Sequence, residues 1–541
     1  MLGGKLMNIE LKEKLEKIYD EQVWPHMTLG EFIEDCAKKY GDKIALVDGD
    51  VELSYQELNR KACQYANGLL KAGFKKGDRI VLQLPNCHEF VIILFAMFKI
   101  GLIPVLSLPA HRKNEIKGIL EKSGAKAYIS KGKYLGFSYV DMIREVREEL
   151  NIDFKVYILG DNQGYKNFYN LDDKDYLSQQ IEINYKEIGL LLLSGGTTGI
   201  PKLIPRRHCD YIYVAKESGI KSEFNLNTKF LAILPMAHNF TLCCPGVLGT
   251  LAYGGTVFIS NTASPDEFVP IIENKKINTI QIVPSLIEVF LEYVGLLESD
   301  VSSLELMIVG AAKLEPKQAM MLENTLNVRI QQSFGLAEGL ICMTDVNDSE
   351  NIRYNFQGKP ISKYDEILVV DSNNQSTKPG EVGQLLTRGP YTIYGYYNYN
   401  EDETVVNEDN YFITGDKIVL SKDGNINIIG RLKDTIIKNG ENIEPREIEK
   451  TVIKMGGISK ASIVGIKNKN GEEIICLYML SDEAMPIDHI RKYLIKEGLA
   501  SYKLPDVVEC VEEFPLTAVG KIDKNRLKEM YKELHYDTNK K

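Results

Sequence analysis

Along this chain, short all-apolar runs alternate with longer stretches whose apolar residues recur at helical spacing. RIVLQL at 79–84 precedes HEFVIILFAMFKIG, IPVLSL at 103–108 precedes a polar helical stretch, and TIQIVP at 279–284 precedes SLIEVFLEYVGLL. Strand-like runs in regular alternation with helices predict an α/β fold built on parallel sheets. Leu190 to Leu193 reads as a further buried strand. From 365 to 430 the pattern changes to short strands (EILVVD, GQLLTRG, INIIG) punctuated by Gly, Asn and Asp, which predicts a small β-rich subdomain. After Gly430, the segment GRLKDTIIKNGENIEPREIEK predicts a hairpin-like stretch running into an acidic helix start. The expected organisation is one large N-terminal region, residues 1–430, and a small mobile α/β C-terminal domain, residues 431–541.

Bulk properties narrow this picture. With 541 residues and 44% hydrophobic content, the chain can bury more than one core. A net charge of -10 argues against nonspecific nucleic-acid binding, and the basic run from Lys202 to His208 makes any anion binding local. Nine cysteines include no CxxC pair and seven histidines show no ligand spacing, so neither a zinc site nor a disulfide framework is expected. The N-terminal segment is charged and helical rather than a signal sequence, and the apolar stretch Phe90 to Leu108 is broken by Lys99 and Pro104. It reads as a buried helix running into a strand, and the protein is expected in the cytoplasm, away from membranes.

The candidate chemistry begins at LLLLSGGTTGIPKLIPRRH, residues 190–208. After the strand, Ser194, Gly195, Gly196, Thr197, Thr198 and Gly199 form a small-residue turn that lets backbone N–H groups approach a polyphosphate, with Lys202 adding charge. A Walker A loop would need Gly-Lys-Ser/Thr after its spacer, whereas Gly199 is followed by Ile200 and Pro201.

Four further motifs follow in order: QQSFGLAEG (331–339), YFITGD (411–416), GRLKD (430–434) and PLTAVGKIDK (515–524). The set resembles the adenylate-forming superfamily of acyl-CoA synthetases, peptide-synthetase adenylation domains and luciferases, over nearly the whole chain. The resemblance implies ATP and Mg²⁺ as cofactors, with Glu338 and Thr198 near the metal. It implies an adenine and ribose site at Gly310, Ala311, Ser333, Asp416 and Arg431, and a hinge at Lys433. Lys202 and Lys521 become catalytic cations, Lys521 holding the substrate carboxylate by the α-phosphate. The implied chemistry is attack of a carboxylate on ATP, loss of pyrophosphate, then capture of the acyl-adenylate by a thiol. An ionised carboxylate needs no general base, which fits the absence of an obvious triad.

Within the superfamily, LPAHR (108–112) and PMAHNFTLCCPGVLG (235–249) look most like the stand-alone aryl-acid ligases of siderophore pathways. That implies an aryl pocket at His238, Asn239, Phe240, Cys244, Ala337 and Ile341. Asn239 replaces the Asp that pairs an amino acid's ammonium, and its neutral amide suits a phenolic hydroxyl ortho to the carboxylate. Cys244 stands where a Ser serves a 3-hydroxyl, which favours salicylate, with 2,3-dihydroxybenzoate next. Asn442 stands where many such ligases have Lys. The implied acceptor is a phosphopantetheinylated aryl carrier protein acting in trans, since about twenty residues follow Lys521. The alternatives are a carboxylate–CoA ligase using free CoA and, more distantly, a non-catalytic nucleotide-binding protein.

Overall fold

A computed structural model describes the chain apart from residues 1–6, 151, 176–180, 195–200, 399–404, 435, 439–440, 468–472, 482–484, 498, 500, 518–519 and 537–541. The chain forms two compact units. The first comprises Met1–Ile367, Thr387–Ile413 and Asp423–Ile426, and the second comprises Leu368–Leu386, Thr414–Lys422 and Asn427–Lys541.

The first unit is built on two mainly parallel sheets. In one, the strands Ile44–Asp48, Thr256–Ile259, Lys229–Ala232, Thr279–Ile282, Leu306–Val309 and Arg329–Gly335 lie side by side in that order, all parallel. Beyond Arg329–Gly335 the antiparallel strand Ile341–Met343 extends the sheet, with Ile341 opposite Gly335. In the other, Ile103–Leu106, Arg79–Gln83, Ala127–Lys131 and Lys155–Leu159 run parallel. Ile188–Leu193 joins them beside Ile103–Leu106 and turns back into the antiparallel Leu203–Arg207. The runs read as strands in the sequence are strands, because apolar side chains on both faces are accommodated only between helical layers.

The apolar stretch from Phe90 is the helix His88–Lys99, buried almost all round, followed by the strand Ile103–Leu106. Lys99, which breaks the stretch in the sequence, is itself buried and places its ammonium 2.6 Å from Glu34. Among the described residues no helix is long and apolar enough to cross a membrane. All nine cysteines are free thiols.

In the second unit, Ile458–Lys467 pairs antiparallel with Glu473–Ser481, which runs parallel to Val507–Cys510. The helices Pro445–Ile453 and Ile487–Lys496 pack on one face through Ile448, Val452, Ile490 and Leu494, and Lys524–Tyr536 packs on the other through Leu527 and Tyr531. The hairpin anticipated after Gly430 is present as Ile436–Lys438 with Glu441–Ile443. The β-rich stretch forms a four-stranded sheet in the order Glu366–Val370, Val382–Arg388, Phe412–Leu420 and Ile426–Arg431.

Candidate active site

Strand pairing brings the ends of the phosphate-loop segment together. Leu193 and Leu203 are partners across the antiparallel pair, and just beyond them Ser194 N–H donates to the Lys202 carbonyl while Lys202 N–H donates to Ser194 Oγ, both at 3.0 Å. Gly195, Gly196, Thr197, Thr198 and Gly199 lie outside the described residues. The Lys202 ammonium sits 4.7 Å from the ring centroid of Tyr396, and the hydroxyl of that tyrosine donates to Glu338 Oε1 at 3.0 Å. Backbone bonds hold the same segment in place: Ile393 N–H donates to the Glu338 carbonyl and Tyr397 N–H to the Leu203 carbonyl, each at 2.8 Å. Two residues far apart in sequence are thereby gathered around one phenol. Nothing in the motif pattern singled out Tyr396.

The basic run after Lys202 does not behave as an anion-binding surface. Arg206 is fully buried, with Nε and Nη2 each 3.1 Å from Asp210 Oδ1 and Nη1 donating to the Ala337 carbonyl at 2.8 Å. Burial opposes its charge, but Asp210 alongside holds the guanidinium pKa above its ordinary value. Arg207 pairs with Glu16 at 3.0 Å and lies over the Trp24 ring. His208 is buried, and desolvation takes its pKa down to about 4. Alternation along the strand Leu203–Arg207 sends Arg206 inward, so a contiguous charge run in sequence is dispersed in space.

The residues expected to line an aryl pocket cluster at the short helix Asn239–Cys243 and the strand ends facing it. His238 caps that helix, Nδ1 accepting from Phe240 N–H at 3.2 Å, which places the proton of the neutral ring on Nε2. Asn239 is buried; its Oδ1 accepts from the Tyr211 hydroxyl at 2.9 Å and its Nδ2 lies 3.5 Å from Cys244 Sγ. Gln281 Nε2 donates to the carbonyls of Phe240 and Cys244, at 3.0 and 2.7 Å, tying the helix to the parallel sheet. A Cβ on Gly310 would come within 2.8 Å of Phe240 Cζ and 3.0 Å of the Ser333 carbonyl, so these three residues meet only because position 310 lacks a side chain. Ala311 follows with φ 62°, a left-handed conformation that costs a non-glycine residue energy and is characteristic of functional turns. Ile341 is fully buried on the strand Ile341–Met343, opposite Gly335, and Ala337 is fixed through its carbonyl by Arg206. Tyr211, Gln281 and Arg206 were not anticipated as parts of this site.

Three potential metal ligands, Asp48, His88 and Glu89, also come within 4.8 Å of one another. His88 Nδ1 lies 2.8 Å from Asp48, and Glu89 Oε1 accepts from Tyr169 at 2.8 Å, so the group closes on itself as an ion-paired helix start.

In the second unit, Thr414-Gly415-Asp416 lies within the strand Phe412–Leu420. Asp416 N–H donates to Thr414 Oγ1 at 2.9 Å, and that hydroxyl donates to the Leu385 carbonyl at 2.7 Å. Arg431 Nε donates to Asp416 Oδ1 at 2.8 Å, so the acid and base assigned to one sugar are in contact. Lys433 lies in the single turn Leu432–Asp434 that follows. Lys521 is exposed; Thr517 N–H donates to its carbonyl at 2.6 Å and its own N–H donates to Thr517 Oγ1 at 3.2 Å.

Residues 33–397 match the AMP-binding enzyme family, and residues 447–521 match the AMP-binding enzyme C-terminal domain. The chain is 40% identical over 513 residues to the 2,3-dihydroxybenzoate-AMP ligase of Bacillus subtilis (strain 168), covering 94% of this chain and 95% of that one. It is 34% identical over 536 residues to a salicylyl-CoA synthase / salicylate adenylyltransferase of a Streptomyces species, covering 96% of each. The apo structure of Mycobacterium smegmatis MbtA matches with TM-score 0.75 and 31% identity, over 97% of this chain and 98% of that one.

Proposed function

The chain belongs to the AMP-binding enzymes as an adenylate-forming ligase close to the aryl-acid AMP ligases, and on that premise we propose that it activates an ortho-hydroxybenzoic acid, salicylate ahead of 2,3-dihydroxybenzoate. The aryl-adenylate then passes to the phosphopantetheine thiol of an aryl carrier protein in trans, within siderophore or nonribosomal peptide assembly. The observation that carries the choice of acid is the buried contact between Asn239 and Cys244. A neutral amide can hydrogen-bond an ortho-oxygen, and a thiol beside it is a poor partner for a second hydroxyl.

ATP is the family's nucleotide, and the first step needs charge neutralisation more than proton transfer. Lys202, with the loop from Ser194 to Gly199, grips the pyrophosphate side. Asp416 and Arg431 take the ribose hydroxyls, and Gly310, Ala311 and Ser333 border the adenine. Lys521 sets the substrate carboxylate against the α-phosphorus, and rotation at Lys433 exchanges the adenylating and thioester-forming arrangements. Mg²⁺ fits the donor set, because Glu338 offers a half-buried hard carboxylate with a neutral phenol on Oε1. Glu338 and Thr198 would hold the ion, which would neutralise phosphate charge as pyrophosphate departs.

The test is ATP–pyrophosphate exchange with salicylate, 2,3-dihydroxybenzoate and benzoate, followed by thioester assays with a carrier protein and with CoA. Exchange should be strongest with salicylate and the thioester should form on the carrier. Stronger exchange with 2,3-dihydroxybenzoate would overturn the reading of Cys244, CoA thioester alone would overturn the acceptor, and no exchange with any aryl acid would overturn the whole proposal. Lys521→Ala should abolish exchange while ATP still binds.

A further inference from the structure

The Asn239 amide is held from behind. Tyr211, fully buried on the helix His208–Lys221, donates to Asn239 Oδ1, while Asn239 Nδ2 faces Cys244 Sγ. The opposite amide orientation would turn an NH₂ group toward the phenol hydrogen and leave Oδ1 with a thiol, a weak donor. A buried phenol that loses its acceptor is strongly penalised, so Tyr211 selects one orientation. The phenol itself is anchored, with the Arg206 guanidinium 5.3 Å from its ring centroid and paired with Asp210.

We propose that Tyr211 is a positioning residue for substrate selection. By holding Asn239 Oδ1 on its own side it fixes the amide with N–H toward the substrate, so the pocket selects acids whose ortho substituent accepts a hydrogen bond. This deepens the functional reading above and rests on it, since it takes Asn239 as the neighbour of the ortho position. In salicylate the hydroxyl hydrogen is directed to the molecule's own carboxylate, which leaves the phenolic oxygen as an acceptor for Asn239. In anthranilate, an ortho-aminobenzoate, the second amine hydrogen points at the amide N–H and the nitrogen lone pair is delocalised into the ring. The two acids have nearly the same shape, and the discrimination is one of hydrogen-bond polarity.

The experiment compares exchange kinetics with salicylate, anthranilate and benzoate for the unaltered enzyme, Tyr211→Phe and Asn239→Asp. Without the phenol hydrogen the amide loses its orientation, so Tyr211→Phe should cut the salicylate-to-anthranilate ratio of kcat/KM by about tenfold, mainly through the KM for salicylate. Benzoate, which has no ortho group, should change by less than about twofold. Asn239→Asp keeps an oxygen for Tyr211 and puts an acceptor where the N–H stood, so it should favour anthranilate over salicylate. This second variant decides the matter if Tyr211→Phe does not fold. Equal losses on all three acids would make Tyr211 a packing residue, and an unchanged ratio in both variants would overturn the inference. An unaltered enzyme inactive on every aryl acid would instead overturn the functional reading, and this inference with it.

Discussion

Tyr396 donates its hydroxyl hydrogen to Glu338 Oε1 at 3.0 Å, and the Lys202 ammonium rests on the same ring. One aromatic side chain therefore sets the position of the cation and the carboxylate assigned to the phosphates. Tyr396→Phe keeps the ring under Lys202 but drops the bond to Glu338, and should lower kcat/KM in pyrophosphate exchange by about tenfold. Tyr396→Ala removes both contacts and should cost more. An unaffected Tyr396→Ala enzyme would show that the phenol organises nothing that catalysis uses.

Arg206 is a buried charge whose partner is Asp210. Arg206→Met leaves that carboxylate only Arg207, whose Nε lies 3.5 Å from Oδ2, and should destabilise the protein by about 2 kcal/mol. Asp210 Oδ2 also accepts from Arg207 N–H at 3.0 Å, a bond that an Asn can replace. Arg206→Met combined with Asp210→Asn should therefore recover much of the loss. Thermal unfolding of the three variants checks this, and additive losses would refute the coupling.

Two desolvated histidines, His208 buried and His111 half-buried, give stability a pH dependence. His208 Nδ1 accepts from Leu29 N–H at 3.2 Å, His111 Nδ1 accepts from Leu108 N–H at 3.2 Å, and burial takes both pKa values down to about 4. Each is neutral when folded, whereas the unfolded chain takes up a proton near pH ~6.5. Stability from this source is complete above that pH and falls as the pH drops toward 4, by up to ~3 kcal/mol per histidine. Denaturation midpoints measured from pH 7.5 to 4.5 should show the decline, and His111→Asn should make it shallower. An identical slope in that variant would remove His111 from the account.

Gly246 follows the Cys244-Pro245 pair at φ 48°, and a Cβ there would sit 1.8 Å from the Thr241 carbonyl. Gly246→Ala must move backbone beneath Cys244, so it should lower both the unfolding temperature and exchange activity. Full activity at unchanged stability would mean the turn relaxes without disturbing the pocket.

Much of the site was legible because its chemistry is written in contiguous motifs. The family resemblance is borne out, and Asn239 with Cys244, and Asp416 with Arg431, are in contact. Tyr211, Tyr396 and Gln281 were not legible, since each acts across a large sequence separation and none belongs to a local pattern. The fate of Arg206, Arg207 and His208 was not legible for a related reason. Charge is visible in sequence, but the partner that internalises it, Asp210 on the next helix, acts only through the turn from strand to helix.

The sequence by itself determined the alternation of strands and helices and the identity of the family, because hydrophobic period and motif chemistry are properties of neighbouring residues. Only the tertiary structure decided which polar atoms meet. Parallel pairing of Thr279–Ile282 with Lys229–Ala232 brings Gln281 to the carbonyls of Phe240 and Cys244, and the turn from Arg207 into the next helix sets Tyr211 behind Asn239. A buried polar group must find a partner wherever the fold provides one, and that requirement is settled by which elements pack side by side.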